Sequence, residues 1–161
     1  MNFPTGLKRT AAMVVLRNGN RLLLLFRAKA PNQHKYVPVG GKLEPFETPI
    51  AAARRETLEE TGIQVDVLRY CGVLIETSPT EYNWQCNIYL ADIEDQPPPP
   101  CDEGILEWVD FDDLPNIPTP PTDLAIYKYI VEGRSFALDA VYDADLNLLE
   151  MTENISGERL F

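Results

Sequence analysis

The segment from Gly41 to Ile63 constrains the fold of this chain more than any other part of it. Within it, Thr48 is a good N-cap, because its hydroxyl can accept a hydrogen bond from a free backbone N–H of the first helical turn. Pro49 suits the first helical position, where no N–H is needed and the fixed φ is already helical. Gly62 can adopt the left-handed conformation that ends a helix. The sequence therefore predicts a helix over Pro49–Thr61.

Three glutamates lie on one face of this predicted helix. Glu56, Glu59 and Glu60 stand at positions i, i+3 and i+4, which are neighbours on a helix surface. Like charges at this spacing repel each other, and a hard divalent cation with oxygen ligands reverses that cost. An isolated E-x-x-E-E would more simply be a solvated acidic face, so the metal-binding interpretation depends on the rest of the segment. The opposite face is predicted to pack on the core through Ile50, Ala51 and Leu58.

The whole segment resembles the Nudix box, G-x5-E-x7-R-E-U-x-E-E-x-G-U, in which U is a bulky aliphatic residue. Seven fixed residue types at fixed spacing arise by chance at one start position with odds on the order of 10⁻⁸. One position departs from the pattern, because Thr57 stands where an aliphatic residue is usual. A β-branched Thr can sit half-buried, so the departure affects packing and leaves the acidic residues in place. By this match the chain is identified as a member of the Nudix hydrolase superfamily.

The resemblance implies a magnesium site on the acidic face. In Nudix hydrolases the glutamates of the R-E-U-x-E-E segment bind the catalytic Mg²⁺ ions, which carries over to Glu56, Glu59 and Glu60. A backbone carbonyl of the preceding Gly-Gly pair often joins them, which indicates Gly40, with Gly41 beside it as a substrate contact. A side chain at either glycine would block the close approach of phosphate or metal to the backbone. Mg²⁺ is therefore the expected cofactor, and Mn²⁺ is expected to substitute for it.

The box also contributes catalytic candidates. Glu47 and Arg55 are expected to form an ion pair that ties the loop before the helix to the helix itself. The alternative for this pair is a direct part in catalysis. Glu59 is a catalytic candidate as well as a metal ligand.

A later loop supplies the last acidic candidate. In the family, a further glutamate usually lies a few residues ahead of a tryptophan, and Glu103 precedes Trp108 in this way. Glu103 is therefore expected to be a metal ligand or the general base that takes a proton from water. Asp102 and Glu107 are the competing acids, and a surface position without function is the alternative.

Basic residues near the box are candidates for contact with phosphate. Arg27, at the end of the second predicted strand, is the first of them, and Lys42 is another. Arg9 and Lys35 are alternatives. The simpler interpretation of each of these cations is a surface charge.

Recognition of the rest of the substrate is expected farther along the chain. Tyr82 and Trp84 are candidates for stacking on a nucleobase, although packing within a sheet is the simpler interpretation of either residue. A late helix followed by a Phe-x-Leu-x-Ala-x-Tyr-Asp hairpin resembles the oxidised-purine nucleoside triphosphatases of the MutT branch. In those enzymes a Trp and paired Asp residues near this helix contact the modified base. Asp123 matches one Asp, but Thr119–Asp123 contains no Trp, which leaves the identity of the base open.

These resemblances imply a Mg²⁺-dependent hydrolase that cleaves a nucleoside triphosphate, with oxidised purines among the candidates, to a monophosphate and pyrophosphate. The expected partner is thus a small nucleoside polyphosphate. Cleavage of another diphosphate, such as ADP-ribose, a nucleotide sugar or a dinucleotide polyphosphate, is the first alternative, since specificity lies outside the box. The second is a non-catalytic nucleotide-sensing regulator. Such proteins commonly lose box glutamates, whereas this chain keeps them.

Composition narrows the class of partner. The 161 residues, 45% of them hydrophobic, are expected to form a single domain over residues 1–161. The formal net charge of −11 disfavours polymeric nucleic acid, whose backbone needs a basic face, but is compatible with a polyphosphate that arrives as its Mg²⁺ complex. The oligomeric state stays open, with a homodimer among the alternatives.

Cysteine usage and hydropathy indicate the compartment. Three widely spaced cysteines without a C-x-x-C, together with one histidine, argue against structural zinc and a disulfide framework and favour a reducing cytoplasm. The N-terminus has no apolar core of signal-peptide length, and the longest aliphatic run, Leu22–Phe26, is too short to span a bilayer. No contact with a membrane is expected.

The pattern along the chain predicts an α/β fold. Two early strands joined by an Asn18-Gly19 turn are followed by a loop, the box helix, three β segments, a late helix and a final hairpin. The predicted bounds are Thr10–Leu16, Arg21–Arg27, the loop Ala30–Gly41, Val65–Glu76, Glu81–Ile93, Ile105–Phe111, the helix Asp123–Glu132, Ser135–Tyr142 and Leu146–Met151. The late helix is expected to bury Leu124, Tyr127 and Val131. Strands on both sides of a central helix favour a mixed sheet with helices on both faces, in agreement with the α/β/α sandwich known for Nudix proteins.

Overall fold

The computed structural model describes residues 3–161, which form one mixed sheet of eleven strands with a helix on each face. The strands are β1 (Arg9–Asn18), β2 (Arg21–Arg27), β3 (Tyr36–Val37), β4 (Val39–Lys42), β5 (Arg69–Thr77), β6 (Trp84–Asp92), β7 (Pro100–Cys101), β8 (Gly104–Asp110), β9 (Phe136–Tyr142), β10 (Leu148–Glu153) and β11 (Glu158–Arg159). The helices are α1 (Pro49–Thr61) and α2 (Pro121–Val131), and a 3₁₀ helix spans Phe111–Asn116. The strand order is β11-β10-β9-β5-β6-β1-β2-β8-β7, with β3 paired to β2 and β4 to β1. The β1/β6 and β5/β9 pairs are parallel and the other pairs are antiparallel, which confirms the predicted mixed α/β sheet.

Both faces of the sheet are buried, as the alternation in β2 illustrates. Leu22 and Leu24 belong to the core under α2, whereas Leu23 and Leu25 belong to the core under α1. Successive side chains of a strand point to opposite faces, so an uninterrupted leucine run suits a strand that is covered on both sides.

The Gly-Gly pair lies inside the sheet, in front of α1. Strands β1 and β2 pair only at their hairpin end, as far as Leu16 opposite Leu23. Farther along, β1 pairs with β4, which places Gly40 opposite Met13. The prediction of a loop over Ala30–Gly41 was therefore wrong at its end, because the edges left free by β1 and β2 recruit two strands too short to show a strand pattern of their own.

Helix α1 has the predicted bounds and caps. The Thr48 hydroxyl accepts a hydrogen bond from the Ala51 N–H at 3.3 Å, and the N–H of Gly62, at φ 72°, donates to the Leu58 carbonyl at 2.8 Å. The face that packs on the sheet differs from the prediction. The buried residues are Ala52, Ala53, Thr57 and Thr61, whereas Ala51 and Leu58 are exposed and Ile50 is partly buried.

Small residues account for this packing of α1. Two alanines and two threonines let the helix lie close to the sheet, which brings the neighbouring glutamates to the edge of the core. Thr57 is fully buried, and its hydroxyl donates to the Ala53 carbonyl at 2.7 Å, so the departure from the box pattern is satisfied within the helix.

The late part of the chain follows the prediction with shifted bounds. The strand predicted from Val65 begins only at Arg69, and α2 begins at Pro121, because proline favours the first turn of a helix. The predicted apolar stripe of α2 is correct at Tyr127 but wrong at Val131, which is exposed. The α2 residues that the core covers are Thr122, Asp123, Ile126, Tyr127, Tyr129 and Ile130.

None of the helices within residues 3–161 is long and apolar enough to cross a membrane. The expectation for the N-terminal segment includes residues 1 and 2, which lie outside the described residues.

Candidate active site

A cavity of about 770 Å³ lies beside β4 and reaches α2 and the β9–β10 hairpin. Its lining includes every residue predicted to contact substrate, namely Arg27, Gly41, Lys42, Tyr82, Trp84 and Asp123. Gly40 lines it as well. The structure thus brings together residues that the sequence places on five different elements or loops.

Glu60 points from α1 toward the Gly-Gly pair at one end of this cavity. Its carboxylate accepts a hydrogen bond from the Gly40 N–H at 3.0 Å. Burial raises the pKa of Glu60 to about 7, the Gly40 hydrogen bond opposes the rise, and the charges of Glu56 and Glu103 add to it. Three carboxylates therefore lie close enough to repel one another here.

Arg55 neutralises the outer part of the acidic helix face, which comprises Glu56, Glu59 and Glu60. Its Nη1 donates to Glu56 Oε1 at 2.8 Å and to Glu59 Oε2 at 3.2 Å. Its Nε and Nη2 bind the two oxygens of Glu47 at 2.8 Å each, which is the predicted ion pair in bidentate form. The Arg55 hydrogen bonds, with a further one from the Glu44 N–H, lower the pKa of Glu47 to about 2.

The two glycines allow the acidic helix face to contact the sheet directly. A Cβ added at Gly41 would lie 2.6 Å from Glu56 Cδ, and one added at Gly40 would collide with the Ala12 carbonyl. A side chain at Gly41 would displace the Glu56 carboxylate, and one at Gly40 would push β4 away from β1. The Gly40 carbonyl as a metal ligand stays a prediction, whereas the Gly40 N–H has a structural partner in Glu60.

Glu103 joins this acidic group from the turn between β7 and β8. Its charge acts on Glu60, and its Oε2 lies 3.8 Å from Arg27 Nη1. Of the competing acids, Glu107 accepts the Tyr36 hydroxyl at 2.8 Å, and Asp102 is exposed. Arg27 also donates to the Pro31 carbonyl at 2.8 Å, so it holds the following loop at the cavity wall.

The acidic helix face fits a hard divalent cation in its donor chemistry. Carboxylate oxygens are the ligands that Mg²⁺ prefers, and the pKa of Glu60, raised mainly by burial, is raised further by the negative charges of Glu56 and Glu103. Within residues 3–161, no group of three or more Asp, Glu, Cys or His side chains is already arranged to hold a metal ion. At the acidic helix face, Arg55 is hydrogen-bonded to Glu56 and Glu59.

The opposite end of the cavity, here called the cavity floor, consists of Glu76, Tyr82, Asp123 and Tyr142. Glu76 is 6% exposed and accepts the Tyr142 hydroxyl at 2.6 Å and the Tyr82 hydroxyl at 3.3 Å. Asp123 is 4% exposed. Burial raises the pKa of both carboxyl groups.

Sequence reasoning missed Glu76 and Tyr142 as cavity residues. One signal was present in the sequence. Glu76 lies two residues after Leu74 on β5, so both side chains point to the same buried face, and a charged residue at a buried strand position is unusual. Its tyrosine partner Tyr142 lies 66 residues away, and no local pattern connects the two.

The two aromatic candidates make packing contacts while they line the cavity. The Arg9 guanidinium lies 4.1 Å from the Trp84 ring centroid, so one face of this ring is taken. The Tyr82 ring packs edge-on against Tyr142 with centroids 6.0 Å apart. Stacking of either ring on a base stays a prediction.

Comparison with known proteins agrees with this geometry. The sequence pattern of the NUDIX domain family matches residues 7–130. An oxidized purine nucleoside triphosphate hydrolase of Danio rerio is 29% identical over 125 residues, which are 77% of this chain and 80% of the relative. An uncharacterized Nudix hydrolase of Bacillus subtilis, YvcI, is 30% identical over 125 residues, which are 74% of this chain and 77% of the relative.

Among solved structures, a mutator MutT protein of Bacillus halodurans has a TM-score of 0.80 at 24% identity and covers 91% of this chain and 98% of its own. That likeness establishes the fold. The family pattern spans most of the chain, including the whole Gly41–Ile63 segment. The chain therefore belongs to the Nudix family and is a pyrophosphohydrolase of that family.

Proposed function

We propose that this protein is a Mg²⁺-dependent hydrolase that converts nucleoside triphosphates to nucleoside monophosphates and pyrophosphate. The proposal rests on the cavity. One end of it lies near the acidic helix face, and the other end is the buried polar cavity floor, which is proposed to receive the base. Its volume of about 770 Å³ lies in the range of small-molecule sites. The Danio rerio relative named as an oxidized purine nucleoside triphosphate hydrolase supports the substrate class.

Phosphate binding is proposed for the basic residues of the cavity wall. Arg27, Lys35 and Lys42 line the same cavity as the Gly-Gly pair. They supply positive charge in a chain whose formal net charge is −11. A triphosphate at this wall would lie between these cations and the acidic helix face, which requires a metal ion to offset the repulsion.

The residues proposed to hold Mg²⁺ are Glu56, Glu59 and Glu60, with the Gly40 carbonyl. When bound, the ion would neutralise phosphate oxygens and lower the pKa of a coordinated water. Glu47 keeps Arg55 in place through two hydrogen bonds of 2.8 Å, so that Arg55 can align the outer glutamates. The Gly40 N–H holds Glu60 against the sheet in the same manner.

Glu103 is the proposed general base. Glu56 and Glu59 are bound by Arg55, and Glu60 by Gly40. The Glu103 side chain is 43% exposed, and its cationic neighbour Arg27 lies 3.8 Å away, beyond hydrogen-bond distance. It is therefore free to take the proton of the attacking water while the bond to the departing pyrophosphate breaks.

Product analysis tests the reaction. The protein would be incubated with Mg²⁺ or Mn²⁺ and a panel of ribo- and deoxynucleoside triphosphates, oxidised purine triphosphates, ADP-ribose, a nucleotide sugar and a dinucleotide polyphosphate. We expect monophosphate and pyrophosphate from the triphosphates. Chelation with EDTA should abolish turnover, and added Mg²⁺ should restore it.

Three results would contradict the proposal. Release of diphosphate and inorganic phosphate would place the cleavage at another bond. Cleavage of ADP-ribose or a nucleotide sugar alone would assign another substrate class. Tight nucleotide binding without hydrolysis in Mg²⁺ would indicate a nucleotide-sensing regulator.

A further inference from the structure

The turn that carries Glu103 is held through its backbone. Glu103 lies between the two-residue strand β7 and the first residue of β8, where Cys101 pairs with Gly104. Its carbonyl accepts the Ala28 N–H at 2.9 Å. Within residues 3–161 its carboxylate accepts no hydrogen bond, and Arg27 Nη1 lies 3.8 Å from its Oε2. The position of this carboxylate beside the acidic helix face therefore depends on how firmly the surrounding loop is fixed.

Four consecutive prolines, here called the proline tract, lead into this turn and stiffen the loop. Each proline ring fixes the backbone φ, so the run Pro97–Pro100 favours an extended backbone with few alternatives. Pro97, Pro98 and Pro100 are exposed, and Pro99 is partly buried. Packing of the proline rings therefore does little to fix the tract in place. A stiff segment passes the position of its first residue on to its last, so the residues that hold its start also hold β7.

Trp108 of β8 holds the start of the proline tract. Its indole Nε1 donates a hydrogen bond to the Gln96 carbonyl at 2.8 Å. The Arg21 guanidinium lies 4.4 Å from the centroid of the Trp108 ring and also pairs with Asp95, the residue before Gln96. Strand β8 is itself fixed, because it pairs with β2 along its whole length. The indole thus closes a loop from Gln96 to Trp108 whose far end is the turn of Glu103.

We propose that Trp108 is a positioning residue for catalysis, whose indole hydrogen bond to Gln96 fixes the proline tract and thereby holds the general base Glu103 beside the acidic helix face. The inference rests on the proposed function, since it acts through the base assigned there. The alternative role of Trp108 is packing alone, because its ring also contacts the core under α1. The tests below separate the two roles.

The first test compares Trp108→Phe with wild type on whichever compound of the substrate panel is hydrolysed fastest. Phenylalanine keeps an aromatic ring against the core but has no N–H for the Gln96 carbonyl, so the loop should loosen. We expect kcat to fall about tenfold with KM unchanged, because a small displacement of a catalytic group is enough for such a loss. The matched control Tyr70→Phe removes a hydroxyl that donates to Asn87 at 3.1 Å outside the cavity, and it should change neither constant.

A double-mutant cycle separates positioning from packing. Glu103→Gln removes the proposed base and should lower kcat by itself. If Trp108 acts through Glu103, Trp108→Phe should cause no further loss of kcat in the Glu103→Gln background, because residues that act as one unit are not additive. A packing role would lower kcat by the same factor in both backgrounds. Circular dichroism and thermal unfolding establish that each variant is folded.

A third measurement follows the loop independently of activity. Hydrogen exchange read by mass spectrometry should be faster over residues 101–104 in Trp108→Phe and unchanged over α1. If Trp108→Phe does not fold, the double variant Pro97→Gly/Pro98→Gly takes its place, because both prolines are exposed and glycine removes the stiffness of the tract with little loss of packing. The same rise in exchange and fall in kcat are expected. Pro79→Gly, at an exposed proline between β5 and β6, is the control.

The outcomes separate the two proposals. Unchanged exchange over residues 101–104, an unchanged kcat, or an equal loss of kcat with and without Glu103 would each overturn the role of Trp108 and keep the proposed reaction. If Glu103→Gln leaves turnover intact, Glu103 is not the base and the role of Trp108 is overturned with it. Hydrolysis of ADP-ribose or a nucleotide sugar alone, with a loss in Trp108→Phe that depends on Glu103, would overturn the proposed substrate class and keep the positioning role. Nucleotide binding without any hydrolysis would overturn both.

Discussion

One end of the cavity adjoins the acidic helix face through the Gly-Gly pair and the other is the cavity floor, and the two groups of carboxyls are built in opposite ways. The acidic helix face consists of three glutamates from one helix, of which Glu56 and Glu59 are bound by the guanidinium of Arg55. The cavity floor joins Glu76 and Asp123 from a strand and a helix distant in sequence, both buried, and its donors are neutral tyrosine hydroxyls. The same functional group is thus paired with a guanidinium at the acidic helix face and with neutral hydroxyls at the cavity floor.

The largest expected effect is at the acidic helix face. Glu59→Gln removes one charged oxygen that would hold Mg²⁺, so kcat should fall at least about 100-fold, since even outer partners of metal ligands cost 10- to 100-fold. The side chain is 57% exposed, and the free energy of unfolding should not change. Steady-state kinetics with Glu150→Gln as the control measure this. Unaltered turnover would show that the metal site lies elsewhere.

A change at the cavity floor should act mainly on stability. Tyr142→Phe removes the 2.6 Å hydrogen bond to the buried Glu76 carboxylate and should lower the free energy of unfolding by about 2 kcal/mol. Chemical denaturation of wild type and variant measures the effect. An unchanged free energy of unfolding would show that this hydrogen bond does not stabilise the fold.

A third carboxylate sharpens the contrast with Asp123. Glu153 is 1% exposed, but it accepts the backbone N–H groups of Ala137, Ile155 and Ser156 at 2.8–2.9 Å. Burial opposes its ionisation, but the three hydrogen bonds prevail and lower the pKa of Glu153 to about 2. Glu153 and Asp123 thus have pKa values shifted in opposite directions, and the acid with three backbone donors is the one whose pKa is lowered.

The Glu153 shift predicts a pH dependence of stability. A pKa below the unfolded value of 4.5 means that the stabilisation is fully present above pH 4.5 and is lost as the pH falls toward 2. Glu153→Gln should lower the free energy of unfolding by about 2 kcal/mol at pH 7, and the difference from wild type should vanish near pH 2. Thermal unfolding of both proteins between pH 7 and 2.5 measures this. A constant difference across the range would contradict the assignment.

The smallest effect is expected for the arginine of the acidic helix face. Arg55→Lys keeps the charge but cannot make the two parallel hydrogen bonds to Glu47, and so it should cost about 1 kcal/mol of stability. Because the outer glutamates lose their alignment, kcat should fall more than KM rises. If Arg55→Lys lowers the free energy of unfolding more than Tyr142→Phe does, the acidic helix face contributes more to stability than the cavity floor, which would contradict this account.

The sequence was sufficient for the acidic helix face and insufficient for the cavity floor, for a physical reason. The Thr48 and Gly62 caps and the spacing of the glutamates act within one helix, so the bounds of α1 and its ion pair with Glu47 could be predicted. The face that packs could not, because small residues drew α1 onto the sheet while Leu58 stayed exposed. Glu76 meets Tyr142 only because β5 and β9 pair in parallel, which no local pattern encodes.

The most direct test of the separate roles of the two ends compares turnover of nucleoside triphosphates under Mg²⁺ with the free energy of unfolding in wild type, Glu59→Gln and Tyr142→Phe. We expect Glu59→Gln to lower kcat at least about 100-fold and to leave the free energy of unfolding unchanged. We expect Tyr142→Phe to lower the free energy of unfolding by about 2 kcal/mol and to keep hydrolysis. If Glu59→Gln destabilises the fold with little loss of kcat and Tyr142→Phe abolishes hydrolysis without loss of stability, the two ends of the cavity do not have the separate roles assigned to them.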